Sequence, residues 1–205
     1  MQIRRAAVLQ GAALTAISTD WPTALSLPES ARIIRESCDE RFLSAVSAAG
    51  TFLYRGEPAI DAAAVLEPAP DLLLAGTYGS TAALRFFEQL ERSLARTGSV
   101  ARPSTGHIGV ADRALAARWG TPVSIWPLGP LHYVWPRGRD VFWPDQADGA
   151  GYAIDDALVD ALRLRREVLF ASADGRSAFV AVPATRDADL RRRLSLTRAP
   201  AARSQ

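Results

Sequence analysis

Arg165-Arg166-Glu167-Val168-Leu169-Phe170, followed after Ala173-Asp174-Gly175 by Ser177-Ala178-Phe179-Val180-Ala181-Val182, reads as two β-prone runs with turn chemistry between them. The pattern predicts a β-hairpin with a short glycine-containing loop. Glu167 is the odd member, because a carboxylate just inside a buried strand costs free energy unless it has a partner or a task. A place at the solvated strand entrance is the alternative. Phe52-Leu53-Tyr54-Arg55-Gly56 is a second apolar strand, ending in an arginine and a glycine. Together the two stretches predict an arginine and a glutamate carried into one cleft from distant strands.

A chain of 205 residues can bury one sizeable core, and one domain with short tails is expected. Hydrophobic residues make up 48% of it, with no apolar run near the roughly 20 residues needed to span a bilayer, so no membrane partner is expected. All 24 basic residues are arginines, and asparagine is absent as well as lysine. Lysine avoidance inside a host cell could produce the first absence; a GC-rich coding sequence produces both. The net charge of +2 is no nucleic-acid footprint. Cys38 is the single cysteine, which rules out an intrachain disulfide and a thiolate cage. With His107 and His132 as the only histidines, no metal site is expected.

Taken in order, Arg4, Arg5 and the small apolar stretch to Ala16 read as a short arm or amphipathic helix rather than an export signal. Ser26-Leu27-Pro28-Glu29 has the form of a capping box, and Ile33, Ile34, Cys38, Phe42 and Val46 extend one helix to Gly50. Thr51 to Arg55 is the first strand, and residues 57–79 are mostly loop. A helix from Ser80 carries Leu84, Phe87, Leu90 and Leu94 on its apolar side. His107 to Val110 is a short strand, with Asp112 placed to cap a helix that ends at Trp119-Gly120. Pro122 to Trp126 and Leu131 to Trp135 are strands joined by Pro127-Leu128-Gly129-Pro130. Trp126, Tyr133, Trp135, Phe142 and Trp143 build a sheet core or, alternatively, a groove that stacks a flat ring. Ile154 to Leu164 reads as a helix. Arg191-Arg192-Arg193 lies in a solvated tail, since no aromatic residues interleave with the arginines. The domain reading is therefore an arm at 1–27, a domain at 28–184 and an arginine-rich tail at 185–205.

The order of Leu53-Tyr54-Arg55-Gly56, Ala116-Ala117-Arg118-Trp119-Gly120, Pro127-Leu128-Gly129, Val134-Trp135-Pro136 and Glu167-Val168-Leu169 resembles the ADP-ribosyltransferase-like proteins of bacteriophages and their bacterial relatives. The resemblance runs from about Glu29 to Val182 and rests on short motifs in sequence order. It implies an α+β fold, with a split β-sheet core of two packed, bent small sheets and flanking helices. It implies that Arg55, flanked by Tyr54 and Gly56, grips NAD, as a planar cationic fork suits a phosphate. Glu167 is implied to be catalytic, holding the ribose and stabilising its oxocarbenium-like charge as nicotinamide leaves, without a metal.

Val110-Ala111-Asp112 stands where that family has a Ser-Thr-Ser type strand. The missing hydroxyls would have to come from Ser104 and Thr105 in a shifted register, or the role from His107. Asp112 is read as a helix cap. Arg165 stands two residues before Glu167, where transferases that modify arginine carry Glu or Gln.

Two functional readings follow. One is a mono-ADP-ribosyltransferase or NAD glycohydrolase that passes ADP-ribose from NAD to a protein or nucleic-acid acceptor or to water. The other is a non-catalytic protein of that fold, a structural or virion component or a binding module. The implied place of action is the bacterial cytoplasm, as for an effector, or a phage particle and the cell it injects. An unrelated α+β domain with both residues as surface charges is the third possibility.

Overall fold

A computed structural model describes residues 24–58, 60–68, 70, 72–73, 81–138, 140, 142, 151–172 and 178–196. Arg4, Arg5, Ser80, Trp143, the Ala173-Asp174-Gly175 turn and the chain from 197 onward lie outside these residues.

The capping box forms as read. Ser26 Oγ accepts from the Glu29 N–H at 3.3 Å and Glu29 Oε2 accepts from the Ser26 N–H at 2.8 Å, opening α1 (Leu27–Ser37). The single helix expected to Gly50 is two helices, because Cys38 and Asp39 take extended backbone angles. Asp39 then caps α2 (Glu40–Ala49) by accepting from the N–H groups of Arg41 at 2.9 Å and Phe42 at 3.1 Å. Its other oxygen accepts from Leu131 N at 3.0 Å, which ties the helix break to the sheet. Apolar periodicity alone could not show this, since both helices keep their apolar residues on one continuous side.

Eight strands follow: β1 (Tyr54–Glu57), β2 (Ala64–Leu66), β3 (His107–Val110), β4 (Thr121–Pro127), β5 (Leu131–Pro136), β6 (Tyr152–Ile154), β7 (Glu167–Ser172) and β8 (Phe179–Pro183). The first strand starts three residues later than expected, and β2 lies in the segment expected to be loop. Helix α3 (Thr81–Arg96) precedes β3, α4 (Arg113–Ala116) follows it, and α5 (Leu158–Arg163) precedes β7. The helix expected over Ile154 to Leu164 is thus a strand end, a bend and one short helix. Asp155 and Ala157 take left-handed φ values of 49° and 51° and break the helical path.

All neighbouring strands are antiparallel, in the order β2-β8-β4-β1-β3-β7-β5-β6. The chain is therefore α+β. At the centre β1 and β3 share one residue pair, Tyr54 opposite Val110, whereas β1 and β4 are paired from Tyr54 to Glu57. The sheet divides there into the halves β2-β8-β4-β1 and β3-β7-β5-β6. His107 and Phe170 of one half pack on Phe179 of the other at ring-centroid distances of 6.2 and 6.0 Å, so the halves meet face to face.

The expected hairpin does not exist. β7 pairs with β3 and β5, β8 pairs with β4 and β2, and the two strands sit in opposite halves. All six residues of β7 are buried, the signature of a central strand that needs neighbours on both sides and cover on both faces. Trp126, Tyr133, Trp135 and Phe142 are buried at 0, 6, 5 and 0% exposure, which makes the aromatic series core.

The solvated tail is corrected as well. Residues 184–186 form a 3-10 turn and α6 (Asp187–Arg193) follows, with Leu190 and Leu194 packed on the main core. Burying two leucines contributes roughly 1.5–3 kcal/mol each, which outweighs the solvation of the arginines between them because Arg192 and Arg193 stay exposed and Arg191 is only partly buried.

Asp39→Ala should cost about 2 kcal/mol in urea unfolding, since three backbone N–H groups lose their acceptor. Glu36→Ala, which removes only a solvent-exposed ion pair with Arg32, should change stability by less than about 0.5 kcal/mol.

Candidate functional site

The three residues of the Tyr-Arg-Gly strand serve three tasks. Tyr54 is 9% exposed and its hydroxyl donates to Asp187 Oδ2 at 2.9 Å. Arg55 Nε donates to Glu57 Oε1 at 2.6 Å, two residues along the same strand and therefore on the same face. Gly56 has the opposite character: a Cβ there would lie 2.5 Å from the Ala116 carbonyl oxygen and 2.7 Å from the Trp119 carbonyl carbon. In return, a Cβ on Gly120 would lie 2.4 Å from the Glu57 carbonyl oxygen. Gly56 and Gly120 are the contact through which β1 and the end of the α4 segment touch backbone to backbone. The Tyr-Arg-Gly and Trp-Gly motifs are thus halves of one packing arrangement.

Glu167 opens β7 at 1% exposure. Its Oε2 accepts from Phe142 N at 2.8 Å, and its own N–H donates to the Asp140 carbonyl at 2.7 Å. Arg166 Nη1 adds an ion pair to Asp140 at 2.6 Å. Residues 140 and 142 are in this way fastened across the start of β7. Glu167 lies opposite Val110, which lies opposite Tyr54, so the two motif strands stand one strand apart. Alternation along β1 then turns Arg55 to the other face from the Tyr54–Val110–Glu167 row. The sheet brings Tyr54 and Glu167 into register, but it does not bring Arg55 and Glu167 together.

His107 is fully buried between the half-sheets, with Phe170 and Phe179 against its ring and no hydrogen bond of good geometry at either nitrogen. Burial first, and then the Arg55 charge, push its pKa down to about 3, while the Pro68 carbonyl opposes them. It is a neutral core imidazole, not a group lining a cleft.

Ser104 donates to Glu91 Oε1 at 2.9 Å and Thr105 to the Val100 carbonyl at 2.6 Å. Both precede the His107 end of β3, and Glu167 faces the Val110 end, roughly 15 Å of extended chain away. The shifted register that would give Glu167 their hydroxyls is not present. Asp112 caps α4 through Ala114 N at 2.8 Å and Leu115 N at 3.3 Å, as read, and Arg165 approaches its free side at 3.7 Å.

A surface cavity along α3, lined by Thr81, Ala82, Arg85, Phe86 and Gln89, includes none of these residues. Among the described residues no cluster of three His, Cys, Asp or Glu could hold a metal ion, and no helix is long and apolar enough to cross a membrane. Sequence reading missed Glu57 as the partner of Arg55, although spacing of two on a strand signals a shared face. It also missed Asp187, although Leu190 and Leu194 beyond it keep helical spacing.

Gly56→Ala should lower stability by about 1–3 kcal/mol in chemical denaturation, because backbone rather than a flexible side chain must give way. Above about pH 6.5 His107 is neutral whether the chain is folded or unfolded; below it the unfolded chain takes the proton first. Its contribution is therefore present above pH 6.5 and lost as pH falls toward 3. Asp187, raised to about 6 chiefly by burial, acts in the opposite sense between about pH 4 and 6. His107→Phe leaves Asp187 in place, so the stability of the variant relative to wild type should rise steadily from pH 6.5 to 4.5 in parallel urea titrations.

No family model, curated protein or solved structure matches the chain, so what it does must be read from this geometry.

Proposed function

We propose that this chain is a non-catalytic binding or structural protein built on an ADP-ribosyltransferase-like split sheet. The split between β1 and β3, and the packing of Gly56 against the Trp119-Gly120 turn, support that fold. The observation that carries the non-catalytic reading is Glu167, buried to 1% exposure with its Oε2 bonded to Phe142 N. A carboxylate that stabilises a developing ribosyl cation must touch the ribose, and this one is enclosed by its own chain. Arg55, paired with Glu57 and turned to the other face, supports the same reading, as does the absence of hydroxyls at Val110-Ala111-Asp112. The partner is then a protein of the assembly in which the chain works, in a bacterial cytoplasm or a phage particle.

One observation favours the enzymatic reading, an NAD-dependent mono-ADP-ribosyltransferase or NAD glycohydrolase. Tyr54 and Glu167 stand in one row across β3, so the strands that carry the NAD-gripping and catalytic motifs converge at the split. The two readings separate on one experiment. Incubated with NAD, the wild-type protein should release no nicotinamide above background, and calorimetric titration should show no heat that Arg55→Ala abolishes. Nicotinamide release that Glu167→Gln abolishes would establish the enzyme instead. Glu167→Ala should cost about 1–3 kcal/mol of stability by leaving Phe142 N without its acceptor, and Glu167→Gln, which keeps a carbonyl there, clearly less.

A further inference from the structure

Helix α6 is seated on β1 through a polar contact as well as an apolar one. At its first residue, Asp187 Oδ2 accepts the Tyr54 hydroxyl at 2.9 Å, while Oδ1 is buried with no hydrogen bond of good geometry, the Ser124 hydroxyl standing near the carboxyl. One turn later the Arg191 guanidinium lies 4.5 Å from the centre of the Phe52 ring and donates to the Gly50 carbonyl at 3.1 Å. Its Nη1 is also buried and unpartnered. Leu190 and Leu194 complete the seat, and Arg35 of α1 holds the far end by donating to the Arg193 carbonyl at 3.2 Å.

The groups that face Asp187 are Tyr54 from β1, the Ser124 hydroxyl from β4, Arg113 from α4 and Arg191 from α6 itself. Arg186 precedes it in the chain, and Asp189 is engaged by Arg192 at the surface. None of Arg113, Arg186, Arg191 and Arg192 forms an ion pair with the Asp187 carboxyl among the described residues. Burial disfavours the charged form of Asp187, and the Tyr54 and Ser124 hydroxyls and the Arg113 and Arg191 charges offset it only in part.

We propose that α6 is an acid-tightened latch on the Tyr-Arg-Gly strand: the helix grips β1 most firmly when the Asp187 carboxyl carries a proton and loosens when it is ionised. The sign follows from the cluster. With α6 docked, the carboxyl holds its proton up to about pH 6; released to water, it loses it near 3.8. Docking gains fully below about pH 4, and the gain is lost as pH rises through 6. Linkage between those two values makes docking roughly tenfold more favourable at pH 5 than at pH 7. Release uncovers the Phe52 ring and the Tyr54 hydroxyl, both of which α6 contacts.

The test is hydrogen exchange by mass spectrometry on the full chain, corrected for the intrinsic pH dependence of exchange. Peptides spanning 187–194 report α6, and peptides spanning 121–127 report global opening. The protection of α6 relative to β4 should rise about tenfold from pH 7 to pH 5 in wild type and stay flat in Asp187→Asn. A flat wild-type profile, or the same rise in Asp187→Asn, would overturn the latch. Tyr54→Phe keeps the ring and removes the donor to the carboxylate, so it serves where the first variant does not fold. It should reduce α6 protection more at pH 7 than at pH 5, and an equal reduction at both would also overturn the proposal.

Discussion

Among the described residues, β1 and β3 join two four-stranded half-sheets through a single residue pair, Tyr54 opposite Val110, and the rest of the molecule is arranged to support so narrow a joint. A single pairing supplies far less than the continuous ladders on either side, so the halves must be secured by packing. Phe179 against His107 and Phe170 does this on the inside. On the outside, α4 is pressed against β1 at Gly56 and Gly120, where any side chain would force the backbones apart. Contacts of this kind come from residues distant in sequence, and such a core forms only when the whole chain closes.

The interior polar groups show how differently the same cost can be met. Glu57 answers Arg55 with an ion pair at 2.6 Å, both side chains partly buried. Glu167 receives a backbone N–H. His107 gives up its proton and remains as a flat neutral ring between aromatic neighbours. Asp187 keeps one oxygen on the Tyr54 hydroxyl, while the other has no hydrogen bond of good geometry. An unmet buried charge costs several kcal/mol, comparable with the whole margin of stability, so each solution constrains where its strand or helix can sit.

That accounting also bears on function. A glutamate at a strand entrance and an arginine on a first strand are the residue types NAD chemistry needs, yet position alone does not make them a site. Reactivity requires an open approach to both groups from one side. Here Glu167 is closed by residues 140 and 142, and the alternation of β1 sends Arg55 to the other face. The residues are the same in either reading; their exposure differs.

Local chemistry was legible wherever it was written within a few residues. The Ser26 capping box, the Asp112 cap, the apolar face of α3 and the β character of residues 107–110, 122–126, 131–135, 167–170 and 179–182 could all be read from spacing and residue type, as could the mixed α+β class. The chain by itself also marked Arg55, Gly56 and Glu167 as unusual, because a charge or a glycine in an apolar run is costly without a reason. Tertiary structure decided the reason. Turn residues after Phe170 signal that the chain reverses but not which strand lies beside it, so β7 and β8 could be taken for a hairpin although they belong to opposite halves. Pairing, burial and the face a side chain presents depend on partners tens of residues away, and those partners are fixed only by the joint requirement to bury apolar surface and satisfy every buried polar group at once.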